Sequence, residues 1–168
     1  AESQMMKETE EIIHSNLEFL PLKSYANIVE GNALRIDWET VVPKDKLNYI
    51  MGNPPFVGHQ WRSKSQAEDM EIAFYDLAKH GKLDYVCGWY NKACDYMKNT
   101  RIKTAFVSTN SIIQGESVGI LWSFLFKKGI EIQFAHQSFS WSSESSKSAT
   151  VHCVIIGMTC GKLQCQKK

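Results

Sequence analysis

The stretch Tyr49-Ile50-Met51-Gly52-Asn53-Pro54-Pro55-Phe56 decides how this 168-residue chain is read. Tyr49 to Gly52 is a short apolar run that reads as the end of a buried strand, and turn signals follow at once. Asn53 precedes a proline, which pushes its backbone out of the helical region, while Pro54 and Pro55 each hold φ at about −65° and lack an N–H. A stiff set of acceptors is left. The Asn53 carboxamide oxygen and the Pro54 carbonyl can each take one hydrogen from the same planar –NH2 group, with the Phe56 ring lying against the flat ring that carries it. Two in-plane acceptors favour pyramidalisation of a delocalised amine and aim its lone pair at an electrophile, without a strong general base. The plainer alternative is a Pro-Pro turn that only ends a strand. A strand, an Asn, two prolines and an aromatic in succession form the more specific pattern.

Composition bounds the setting. A chain that is 43% hydrophobic and 22% charged is long enough for one domain with a real core. Its 19 Lys and Arg against 18 Asp and Glu create no global field, so any nucleic-acid contact rests on local patches. The five cysteines, Cys87, Cys94, Cys153, Cys160 and Cys165, are odd in number and lack framework spacing, which points to reduced thiols and a cytoplasmic protein. His152 with Cys160 and Cys165 lacks the C-x-x-C pair of a zinc site, so no metal is expected. No stretch approaches the ~20 apolar residues of a membrane span.

Downstream of the motif, residues 57–66 read as a polar, mobile loop that carries Arg62 and Lys64, placed to touch phosphate. Glu68 to His80 has the apolar spacing of a helix with Gly81 as its stop, and a second helix starts at Asp84 with Val86, Trp89, Tyr90, Ala93 and Met97 on its buried stripe. Thr104 to Ser108 is a strand, followed by Thr109-Asn110-Ser111. Val118 to Phe126 is a helix closed by Lys127, Lys128 and Gly129. Ile130 to Ala135 is a strand, Phe139-Ser140-Trp141 opens a Ser-rich loop, and Val151 to Ile156 returns as a strand. Upstream, Asn27-Ile28-Val29 is a short buried-strand candidate leading into the Gly31-Asn32 turn, and Glu2 to Leu17 reads as a helix without a starting cap. The alternation predicts an α/β fold, with a mostly parallel sheet between helices on both faces and an antiparallel hairpin at the C-terminal edge.

In order, Gly31-Asn32-Ala33-Leu34-Arg35-Ile36-Asp37-Trp38, Asn53-Pro54-Pro55-Phe56, Leu83-Asp84-Tyr85-Val86 with Trp89-Tyr90, Ser108-Thr109-Asn110-Ser111-Ile112, and Phe139-Ser140-Trp141 leading to residues 149–156 resemble the MmeI-like DNA adenine-N6 methyltransferases. These are class I, Rossmann-like, S-adenosylmethionine-dependent enzymes found in restriction-modification proteins. The resemblance implies that Asn53 and Pro54, stiffened by Pro55, hold the target amino group of an adenine flipped out of double-stranded DNA, and that Phe56 stacks on it. It places Phe139 or Trp141 on the base's other side, and Asn32 and Ala33 against the adenine moiety of the donor. Asp84 is either a ligand-site residue or a plain helix cap.

The chain also departs from that family. The Gly-rich turn after the first strand and the acidic residue ending the second, which hold the donor's methionine end and ribose, have no counterpart in these residues. A single partial methyltransferase domain is therefore expected, lacking its first two strands, with the donor's main cradle upstream of Ala1 and no nuclease or target-recognition domain. Asn27-Ile28-Val29 then has to find a new partner, pair across a homodimer through exposed sheet edges, or lie on the surface as an irregular segment. A protein glutamine-amide methyltransferase shares the motif and is the in-class rival, and a cytosine amino group is a further target that Asn53 disfavours. A non-catalytic binding fragment is the rival from another class.

Overall fold

In the computed structural model, residues 27–141 and 151–161 are described. The helix expected from Glu2 to Leu17 and the Ser-rich loop from Ser142 lie outside them. Period-two patterning is clearest over residues 103–109, where Thr104, Phe106 and Ser108 are buried and the residues between them are not. This stretch is the second of four strands, β1 (Tyr49–Gly52), β2 (Lys103–Thr109), β3 (Ile130–Trp141) and β4 (Val151–Cys160). They form one sheet in the order β1-β2-β4-β3.

β1 runs parallel to β2, but β4 is antiparallel to both β2 and β3. The expectation of a mostly parallel sheet is therefore corrected: among the described residues one junction is parallel and two are antiparallel. The cause is connection length. A parallel neighbour needs a crossover of a dozen residues or more, which the helical segment between β1 and β2 supplies and residues 142–150 between β3 and β4 do not. The hairpin at the sheet edge is as the sequence implied.

The helices are α1 (Trp38–Val41), α2 (Lys64–Ala73), α3 (Cys87–Met97), and α4 (Gly115–Ser117), which continues through a π turn (Val118–Trp122) into α5 (Ser123–Lys127). α3 is the centre of the core. Its Tyr90 ring meets Phe106 at 5.3 Å and Trp122 at 5.7 Å, and its hydroxyl pairs with Ser108 at 2.7 Å. Val154, Ile156 and Met158 of β4 lie beside Ser108, Phe106 and Thr104 in register, so the same face of the sheet is buried across both strands. α3 packs on this face through Tyr90, against Phe106 and Ser108. Tyr49, Met51 and Phe134 on the other side are 62%, 81% and 55% exposed.

β1 is accordingly not the buried strand its composition suggests. Among the described residues it has one neighbour, and Ile50, beside Thr104, turns to the core. Asn27-Ile28-Val29 forms no strand: Ile28 is 87% exposed, and Asn27 donates its amide to the Val41 carbonyl at 2.7 Å. Between this segment, α1 and β1 lies an apolar hollow of about 510 Å³ whose lining includes Val29, Ala33, Trp38, Ile50, Met51 and Tyr96.

Several element boundaries differ from the sequence reading. α2 starts at Lys64 because Ser63 and Gln66 form a reciprocal capping box, and it stops at Ala73, so Gly81 sits in a separate short turn (His80–Lys82). α3 starts at Cys87 rather than at Asp84, and the Asp84 side chain does not cap it. Phe139-Ser140-Trp141 belong to β3 instead of a loop, because β4 is long enough to pair with them. Gly129 does end α5 as expected, with φ at 93° and its N–H on the Phe126 carbonyl at 3.0 Å.

Candidate active site at the carboxyl edge of the sheet

Strand direction brings the motifs together. β1 and β2 are parallel with Gly52 beside Phe106, so the chain leaves β1 into Asn53 at the edge where β2 ends. β4 enters the sheet at that edge, with Cys153 beside Thr109. β3 finishes there, with Phe139 beside Cys153 and Trp141 beside Val151. Asn53-Pro54-Pro55-Phe56, Thr109-Asn110-Ser111 and Phe139-Ser140-Trp141 thus share the carboxyl ends of the parallel strands, where ligands bind in open α/β sheets.

Within the motif, Pro54 is buried, Phe56 is half-buried, and Asn53 and Pro55 are exposed. Among the described residues no hydrogen bond ties down the Asn53 carboxamide, so its oxygen is open to a ligand. The segment after it is pinned. Val57 accepts from the Tyr85 N–H at 2.9 Å and the His59 N–H donates to Asp84 Oδ1 at 3.0 Å. Arg62 donates Nη2 to the Gly81 carbonyl at 2.6 Å and Nε to the His59 carbonyl at 3.3 Å. Arg62 therefore braces the loop that the sequence left mobile. Lys64 lies outside that loop, exposed in the first turn of α2.

Asp84 is the junction of this region. Its backbone carbonyl accepts the Cys87 N–H at the start of α3, which frees both carboxylate oxygens. Oδ1 takes His59, and Oδ2 takes the Ser111 hydroxyl from the turn after β2. Thr109 and Ser111 pair through their hydroxyls at 2.6 Å, and Ser138 donates to Asn110 Oδ1 at 2.5 Å. Phe139 is half-buried, with its ring edge-on to His136 at 5.8 Å.

The residues grouped from sequence as donor-binding do not share one space. Ala33 lines the apolar hollow, whereas Asp84 lines a polar groove beside the motif with His59, Trp61 and Gln114. Asn32 is engaged within the fold. Its Oδ1 accepts the Leu34 N–H at 2.9 Å and its Nδ2 donates to Asp69 Oδ2 at 2.8 Å. Asp69, 1% exposed, also takes Arg35 Nε at 2.5 Å and the Tyr85 hydroxyl at 2.6 Å. Burial pushes the Asp69 carboxyl up, but the hydrogen bonds from Tyr85, Arg35 and Asn32 outweigh it and hold the group below the usual carboxylate range. Burial, and then the bond to Asp69, push the Tyr85 phenol up to about 12. Sequence reasoning missed this network. Its one signal was an acidic residue four positions before Ala73 on the inward face of α2.

The chain matches the MmeI DNA-methyltransferase domain across residues 1–168. It belongs to that family. DNA methyltransferase A of Bacillus subtilis (strain 168) is 40% identical over 161 residues, which are 94% of this chain and 18% of that protein. A solved structure of the Type IIL restriction-modification enzyme MmeI in complex with DNA superimposes with a TM-score of 0.79 at 46% identity, covering 92% of this chain and 21% of that one. This MmeI-family chain spans about a fifth of the length of those relatives. Its mixed α/β fold, with a partly parallel sheet of four described strands, is similar to that of the MmeI enzyme.

Proposed function

We propose that the chain is the catalytic-core portion of a site-specific DNA adenine-N6 methyltransferase in a restriction-modification protein, with S-adenosylmethionine as the donor. One observation carries the reading. The Asn53-Pro54-Pro55-Phe56 motif and the aromatic end of β3 meet at one sheet edge, with the Asn53 carboxamide exposed there. Family membership and the likeness to MmeI, solved with DNA, support it.

Asn53 Oδ1 and the Pro54 carbonyl accept the two amino hydrogens of an extruded adenine. The buried Pro54 fixes the direction of its carbonyl, and Phe56 offers a ring face to the base. Phe139, or Trp141 two residues further along β3, closes the other side of the base. As the C–N bond forms, positive charge grows on the amino nitrogen and strengthens both hydrogen bonds, so the two acceptors stabilise the transition state more than the ground state. When bound, S-adenosylmethionine supplies an electrophilic methyl group.

The residues present fit the donor in part. Ala33, Ile36, Trp38 and Met51 make the hollow beside β1 an apolar slot suited to a purine ring, but among the described residues no acidic or basic side chain lines it to hold a ribose or an amino acid. The donor's ribose and methionine end therefore call for groups outside the described residues. A glutamine amide would suit the same acceptors, yet it has no use for an aromatic wall on each side of the target. The test is mass spectrometry of nucleosides from duplex DNA incubated with the full-length protein and donor. N6-methyladenine supports the reading, and methylated cytosine alone or the absence of methylated base overturns it.

A further inference from the structure

We infer that Asp84 and Asn110 are positioning residues that set the width of the target-base slot, by hanging its two aromatic walls from the single turn Thr109-Asn110-Ser111. The inference rests on the proposed reading of the slot. Neither wall is reached by an unbroken ladder. On one side the ladder of β1 ends at Gly52, four residues before Phe56. On the other, the register of β3 breaks between His136 and Phe139, which leaves Gln137 and Ser138 without partners on β4 just before the second wall.

Side chains supply what the ladder does not. His59, three residues past Phe56, donates its N–H to Asp84 Oδ1 at 3.0 Å, and the Ser111 hydroxyl donates to Asp84 Oδ2. Because the Ser111 proton is committed to the carboxylate, the Thr109 hydroxyl is the donor in their 2.6 Å contact. From the other end of the same turn, Asn110 Oδ1 accepts the hydroxyl of Ser138, the unpaired residue next to Phe139, at 2.5 Å. The chain His59–Asp84–Ser111–Thr109 and the pair Asn110–Ser138 thus join the motif loop and the aromatic strand to the rigid end of β2. Position 84 needs a side chain with two hydrogen-bonding atoms, because two different segments reach it. A one-ångström error in such a slot costs about 100-fold in rate.

The test uses the full-length protein with duplex DNA carrying 2-aminopurine at the target position. Asp84→Ala and, separately, Ser138→Ala and Asn110→Ala are each expected to lower kcat by roughly 10-fold to 100-fold while KM for DNA changes less than threefold. Each should also reduce the rise in 2-aminopurine fluorescence that reports a held, extruded base. Asp84→Asn keeps an oxygen for the His59 N–H and offers an amide N–H to Ser111 Oγ, so it should recover most of the activity lost in Asp84→Ala. Ser138→Ala removes an exposed hydroxyl and keeps the test valid if Asp84→Ala does not fold. Unchanged kcat and fluorescence in Ser138→Ala and Asn110→Ala, with an active wild type, overturn this inference alone. So does an Asp84→Asn protein as impaired as Asp84→Ala. A wild type that makes no methyladenine overturns the proposed function and this inference with it.

Discussion

At the residue scale, two side chains separate site chemistry from fold chemistry. Phe56 is half-buried at the end of the motif, and on the proposed reading its ring is a stacking platform. Phe56→Ala is expected to cost about 1–3 kcal/mol of stacking, and Phe56→Trp to retain most of it, in methylation kinetics on matched duplexes and on duplexes mismatched at the target base. A harmless Phe56→Ala on both substrates would make it a core residue only. Asp69 is the contrasting case, since its charge is buried and spent on folding. Tyr85→Phe removes one of its donors and is expected to cost roughly 1.5–3 kcal/mol in chemical denaturation, the range for hydrogen bonds to charged groups. The Asp69 carboxyl is held low in the folded state, so its contribution is fully present above the unfolded value of about 3.9 and is lost as pH falls through the lower folded value. The acid-side decline in stability should be shallower in Asp69→Asn than in the wild type. The Asn53 motif was legible because its meaning is local: four consecutive residues fix backbone, acceptors and ring. Asp69 and Asp84 were not, because their partners Asn32, Arg35, Tyr85, His59 and Ser111 come from segments that only the folded chain assembles.

At the element scale, the loop between β1 and α2 behaves as a braced strap. Two of the Arg62 donors go to the His59 and Gly81 carbonyls, whereas Lys64 is exposed at the start of α2. Neutralising both residues in the full-length protein is therefore expected to flatten the dependence of log affinity on log salt by about 1, from Lys64, rather than the roughly 2 that two phosphate contacts would give. A change near 2 would show that the Arg62 guanidinium reaches DNA as well. The start of α2 was misread because its cap, Ser63 with Gln66, lies in a polar run whose apolar spacing begins only at Met70. β3 was read short because Phe139 to Trp141 become strand only through pairing with Val151 to Cys153 across residues 142–150, a partner that no local pattern announces. The four strands themselves were legible from their apolar runs. Their mixed directions were not, since direction follows from what connects them.

At the scale of the whole molecule, α3 packs on one face of the sheet and the other exposes Tyr49, Met51 and Phe134, while among the described residues β1 has a neighbour on one side only. Combined with a hollow that lacks charged lining, this predicts that the 168-residue chain alone binds S-adenosylmethionine weakly or not at all. Calorimetry on the isolated chain checks it, and low-micromolar affinity would show that the donor site has been misplaced. Among the described residues no helix is long and apolar enough to cross a membrane.

The central claim is that Asn53 holds the target amino group in the transition state, and the most direct measurement is single-turnover formation of N6-methyladenine by full-length wild-type and Asn53→Ala proteins, alongside their affinities for the same duplex. The expected result is a rate lowered on the order of 100-fold or more with DNA affinity nearly unchanged, as for loss of one preorganised hydrogen-bonding partner of the transition state. An Asn53→Ala protein that methylates at the wild-type rate, or one whose loss is wholly in DNA affinity, would contradict it.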